Sequence, residues 1–191
     1  MGERAIGDGP RVRLPAEPQT QINVASIIVS GGPTAEGTLV KATTAVWENI
    51  ATSLGDDWSA ALKYSPRQWE EIVAGAFKRL GFEKVTLTPR SGDHGRDVIA
   101  VSGGFCSQKI IVSVKANAPG KLVSYDDVRA LVGVMTGERD VTKGMITTTS
   151  AFPPNIEKDP FIAPFLPTRL ELINGENLQL LLNNVRMSAN S

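Results

Sequence analysis

The chain has 191 residues, 41% of them hydrophobic and 21% charged, which is ordinary for a globular protein long enough to bury a core. Its single cysteine, Cys106, excludes an intramolecular disulfide and any cysteine-cluster metal site. Twenty basic and twenty acidic residues cancel to zero net charge, so any contact with a polyanion must rest on where the charges sit.

Residues 1–20 hold several glycines and prolines and few large apolar side chains, and are expected to be a disordered arm. They lack the apolar core of a secretory signal. No run of 18 apolar residues occurs anywhere, so no membrane span is expected and a cytoplasmic location is the default. Residues 21–64 are expected to form an N-terminal extension. In it, residues 22–29 read as a strand ended by Gly31-Gly32-Pro33. From 34 to about 54 the spacing of Leu39, Thr43, Val46, Trp47, Ile50 and Leu54 predicts a helix, and a second short helix is expected near 58–62.

At Ser65 the signals sharpen. Ser65-Pro66-Arg67-Gln68 offers an N-cap serine, a proline at the first helical position and a glutamine at the third. Trp69, Ile72, Val73, Ala76, Phe77 and Leu80 then recur at helical spacing, and Gly81 stops the helix. Strands are expected at 85–88, 97–101 and 109–115, the last two joined through Gly103-Gly104. Ser124, with Asp127 three residues on, opens a helix carrying Val128, Leu131, Val132 and Met135. A strand at 145–149, a proline-rich loop, a strand at 170–173 and a helix at 176–183 complete the chain. The expected class is α/β: a central mixed sheet flanked by helices in three layers.

The pattern with chemical content is an acid on the first helix after Ser65, an acid opening one strand, and a lysine ending the next. Alternation puts Ile111, Ser113 and Lys115 on one face of their strand. The hairpin brings Asp97 and Lys115 to the same end. A carboxylate and an ammonium held there suit a divalent ion and an attacking water, as phosphodiester hydrolysis requires. Arg90, Arg96, Lys109 and Lys121 bracket this site in sequence as candidate phosphate contacts, and His94, the only histidine, lies in the loop beside it.

Residues 65–191 resemble the Mrr-type restriction endonuclease domain of the PD-(D/E)xK nucleases. The resemblance rests on Trp69-Glu70-Glu71, Leu80-Gly81-Phe82, Asp93-His94-Gly95-Arg96-Asp97 and the strand from Ile111 to Lys115. It continues in Val128-Arg129-Ala130-Leu131, Thr148-Thr149-Ser150-Ala151-Phe152 and Leu172-Ile173-Asn174-Gly175-Glu176-Asn177-Leu178. It implies a restriction-endonuclease-like fold and a Mg²⁺-dependent endonuclease, with Mn²⁺ as a substitute, acting on DNA in restriction or defence. Asp97 and Glu70 would hold the metal and Lys115 would be the catalytic lysine. Target recognition would come from a homodimer or a partner chain, with the N-terminal extension as a possible dimer contact. One position departs from the family pattern: two residues before the lysine, glutamine or glutamate is replaced by Ser113 in the catalytic set. That departure supports an alternative, a nucleic-acid-binding or assembly module with a weakened site.

Overall fold

The sheet is built in chain order. In the computed structural model, which describes residues 26–89 and 95–188, seven strands lie side by side from first to last. They are β1 (Ile28–Thr34), β2 (Gly37–Thr43), β3 (Lys84–Leu87), β4 (Val98–Val101), β5 (Lys109–Lys115), β6 (Lys143–Thr148) and β7 (Leu170–Ile173). Neighbours are antiparallel from β1 to β5 and parallel from β5 to β7, so the sheet is mixed. The helices are α1 (Ala45–Asp56), α2 (Pro66–Arg79), α3 (Tyr125–Gly137) and α4 (Gly175–Ser188), with a 3₁₀ turn at Trp58–Lys63. No helix among the described residues is long and apolar enough to cross a membrane.

Strand alternation sorts the apolar side chains onto the two faces. Val98, Ala100, Val112 and Val114 join Trp47, Leu54, Trp69, Ile72 and Leu178 in a core with α1, α2 and α4. Ile99, Ile111 and Ile146 join Val128, Leu131, Met135 and Ile162 in a second core beneath α3. Five consecutive residues of β5, Ile110 to Val114, are buried, as expected for a strand covered on both sides.

From Ser65 onward the element order matches the expectation. The capping box of α2 is present: the Ser65 hydroxyl accepts from the Gln68 N–H, and Gln68 Oε1 accepts from the Ser65 N–H at 2.9 Å. The final helix runs further than residues 176–183, to Ser188.

The N-terminal reading needs correction. The first strand runs from Ile28 through Gly31-Gly32-Pro33 to Thr34 instead of ending there, while residues 22–25 lie outside the described residues. An edge strand tolerates proline because one side needs no ladder hydrogen bond, and the register shifts on either side of Ser30 absorb the irregularity. The helix expected from residue 34 starts only at Ala45, where the Thr44 hydroxyl accepts from the Val46 N–H at 3.2 Å. Gly37–Thr43 is β2, and it joins the sheet through Thr38 opposite Leu87 and Leu39 opposite Thr86. Residues 28–43 therefore extend the same sheet, and α1 packs on α4 over the same core.

Gly37 controls that join. Its φ is +144°, and a β-carbon there would lie 2.0 Å from the Leu87 carbonyl oxygen. Gly37→Ala should destabilise the fold by roughly 1–3 kcal/mol. Gly32→Ala meets nothing within 4 Å and should shift it little. Urea denaturation of the two variants checks this; equal midpoints would contradict the β2–β3 pairing.

Candidate active site

Asp97 sits one residue ahead of β4, and its backbone is fixed before its side chain acts. Its N–H donates to the Val112 carbonyl at 2.8 Å, and its carbonyl accepts from the Thr88 N–H at 3.1 Å and the Thr88 hydroxyl at 3.2 Å. Its carboxylate Oδ2 accepts the Val114 N–H at 2.5 Å. β4 begins only at Val98, and beside its start the Val114 N–H finds its acceptor in this side chain. Asp97 is held in place by the strand whose last residue is Lys115.

The Lys115 ammonium lies 2.9 Å from Oδ1 of Asp127. Asp127 is the third residue of α3, and its Oδ2 accepts from the Ser124 hydroxyl at 2.7 Å and the Ser124 N–H at 3.3 Å. One carboxylate thus caps a helix and positions the lysine. Partial burial pushes the Asp127 carboxyl up, but the Ser124 hydroxyl and the Lys115 ammonium outweigh it and hold it below the usual carboxylate range. A depressed folded pKa contributes stability that is present above the unfolded value and lost as pH falls through the folded one. Wild type should therefore lose more stability than Asp127→Asn between pH 6 and pH values below about 4. Denaturation at both pH values measures this, and equal losses would remove Asp127 from the pair.

Glu70 approaches the same end of the sheet from α2. Its Oε2 is 2.6 Å from Nη1 of Arg67, and that nitrogen also donates to the Thr88 carbonyl at 3.0 Å. Thr88 in turn bonds the Asp97 carbonyl. Glu70 and Asp97 are thus linked through Arg67 and Thr88. Ser113 is 2% exposed, within β5 opposite Ile146. Among the described residues no group of three His, Cys, Asp or Glu side chains gathers as a metal cluster. The two carboxylates expected as metal ligands, Asp97 and Glu70, are joined only through Arg67 and Thr88; two carboxylates plus water are a composition that Mg²⁺ accepts.

The expected phosphate contacts divide. Lys121 is exposed in the loop that follows Lys115. Arg96 pairs with Glu138. Lys109 is at the far end of the seven-residue β5, about 20 Å from Lys115. There it meets Asp140 at 3.0 Å, Glu36 at 3.2 Å and Glu138 at 3.6 Å. Burial pushes its ammonium down, but hydrogen bonds to Asp140 and Glu36 more than compensate and raise it. The structure does not bring Lys109 to the Asp97–Lys115 end. Arg90 and His94 lie outside the described residues. In the sequence Asp127 reads only as a helix cap and Arg67 only as a helix residue, because neither partner, Lys115 or Thr88, is a near neighbour.

A family model described as restriction endonuclease, Mrr_cat, matches residues 61–182. The chain belongs to this restriction endonuclease family. The Mrr_cat match takes in Glu70, Asp97, Lys115 and Asp127 and leaves β1, β2 and α1 outside it. Among solved structures, the chain is similar to the MspJI restriction endonuclease in complex with a 27-mer oligonucleotide. The identity is 17% and the TM-score 0.45, covering 77% of this chain and 33% of that one. It is also similar to the DNA modification-dependent restriction endonuclease AspBHI. There the identity is 16% and the TM-score 0.49, covering 76% of this chain and 37% of that one. The chain thus spans about a third of the length of these two structures. No curated protein matches it.

Proposed function

We propose that this Mrr-type chain is a metal-dependent DNA endonuclease serving restriction or defence. The observation that carries the reading is the placement of Asp97 and Lys115 at the same end of adjacent strands, the first anchored on Val114 and the second bonded to Asp127. Asp97 and Glu70 would hold Mg²⁺ or Mn²⁺, which supplies charge stabilisation at phosphorus and an acidified water. Lys115 offers an ammonium to the phosphate oxygens as negative charge grows on them. Water adds to phosphorus, one P–O ester bond breaks, and the leaving oxygen takes up a proton. Arg67 keeps the Glu70 carboxylate oriented until a stronger cation competes for it. Lys121, exposed beyond the lysine, suits a phosphate further along the strand. Target selection would then come from a second copy or a partner chain.

Ser113 favours a second reading, a nucleic-acid-binding or assembly module with a weakened site. Its hydroxyl is short and lies within a buried stretch of β5, where the family pattern has a longer acceptor. Calorimetric titration with Mg²⁺ and Mn²⁺ separates the two. Specific binding that Asp97→Ala abolishes supports the nuclease; absence of a specific site supports the module.

A further inference from the structure

A cavity of about 210 Å³ opens directly beyond Lys115, lined by Leu62, Tyr64, Trp69, Ala116, Asn117 and Thr149. Its wall is built on the backbone of the candidate catalytic lysine. The Lys115 carbonyl accepts from the Asn117 N–H at 2.9 Å, the Thr148 hydroxyl at 2.9 Å and the Thr149 N–H at 3.2 Å. The Thr149 hydroxyl closes the turn by donating to the Asn117 carbonyl at 2.7 Å. The opposite wall is aromatic. Trp69 is fully buried, with its indole N–H on the Ala61 carbonyl, and Tyr64 stands edge-on to it with ring centroids 6.2 Å apart. Trp58 also packs on Trp69, tilted, with ring centroids 5.6 Å apart. Among the described residues, no hydrogen bond engages the Asn117 side-chain amide or the Tyr64 hydroxyl, although both residues line the cavity. Burial also pushes the Tyr64 phenol up, so its hydroxyl stays a protonated donor.

We propose that this cavity is a subsite for one unpaired nucleobase of the nucleotide beside the scissile phosphate. The size agrees: at a share of about 30 Å³ per water the space holds roughly seven waters, the scale of a single base and too small for a base pair. The chemistry agrees too. A base needs a ring to stack on or against and an in-plane donor and acceptor, which Tyr64 and the Asn117 amide provide. Position rests on chain adjacency: Ala116 and Asn117 in the cavity wall directly follow Lys115, whose own side chain turns to Asp127. The subsite would give the nuclease a local preference for distorted, mismatched or unpaired DNA at the cut, because such bases leave the stack at least cost. This inference rests on the nuclease reading for its biological role but not for its test.

The test uses the full chain and titrates the four deoxynucleoside 5′-monophosphates while following tryptophan fluorescence, with deoxyribose 5-phosphate as the control. Trp69 in the wall and Trp58 packed on it are the reporters. Mononucleotides should saturate the signal and the base-free sugar phosphate should not. Asn117→Ala should weaken at least one mononucleotide by about tenfold, and Tyr64→Ala should weaken all of them by a similar factor. Tyr64→Phe keeps the ring and guards against a folding defect; it should bind more tightly than Tyr64→Ala. Equal binding of base-free sugar phosphate, or unchanged binding in Asn117→Ala and Tyr64→Ala, overturns the subsite. In parallel, the ratio of mismatched to perfect-duplex cutting should fall in Asn117→Ala. If wild type cuts and Asn117→Ala shows the same preference, the subsite fails and the nuclease stands. If wild type cuts nothing, the nuclease reading fails and the titration alone decides the subsite.

Discussion

Replacing Lys115 by methionine should lower DNA cleavage by about 10²–10³-fold while leaving the fold almost as stable as before. Both halves follow from where the side chain sits. Its stem leaves the last position of a buried strand, and its ammonium meets Asp127 in a pair in which both side chains are about a third exposed. Pairs of that exposure contribute only about 0–1 kcal/mol to stability, so a wild-type fold would survive without this one. Methionine keeps the apolar stem and removes the charge alone. The strand itself is held by its two ladders and by Thr148 and Thr149 on the Lys115 carbonyl, none of which uses the side chain. Cleavage rate and thermal midpoint measured on one preparation check the split. A large fall in the midpoint would mean that Lys115 serves the fold, and an unchanged rate would remove it from the chemistry.

Asp97 should behave differently, because its carboxylate has a structural partner as well as a proposed metal. Asp97→Ala strips the Val114 N–H of its acceptor and should cost about 1–3 kcal/mol besides ending metal-dependent cleavage. Asp97→Asn retains a side-chain carbonyl oxygen for that N–H but carries no charge. It should recover most of the stability and none of the cleavage. Stability and cleavage thus separate in the asparagine variant and fall together in the alanine variant. Asparagine with wild-type cleavage would contradict the metal role; alanine with wild-type stability would contradict the strand-end role.

How much of this was legible in the sequence differs by segment, for physical reasons. The α2 helix announced itself through local chemistry, since Ser65, Pro66 and Gln68 make its first turn without help from elsewhere. The β4–β5 pair was equally readable, because alternation and a glycine-rich connection determine it over a short span. β2 was not. Leu39, Thr43 and Val46 satisfy a helical spacing, while the strand is decided by pairing with Thr86 and Leu87 far along the chain. Tertiary contact overrode local pattern there.

The candidate site divides in the same way. Asp97 and Lys115 stood out because strand alternation and the hairpin bring an acid and a lysine to one end. Lys109 stood out for the same strand, but the length of β5 carries it to the opposite end among acids that come from β1–β2 and from the end of α3. Asp127 was legible only as a helix cap, since a carboxylate has two oxygens and the sequence gives no sign of what the second will touch. The Tyr64–Asn117 cavity joins the turn before α2 to the turn after β5, and no single window of sequence holds both.

The measurement closest to the central claim is cleavage of supercoiled plasmid, methylated and unmethylated. Wild type, Asp97→Ala and Lys115→Ala are compared in Mg²⁺, in Mn²⁺ and in chelator. The account predicts nicked or linear product from wild type in at least one metal, none in chelator, and none from either variant. Cutting that persists in chelator or in both variants, or no cutting of any plasmid by wild type, would contradict it.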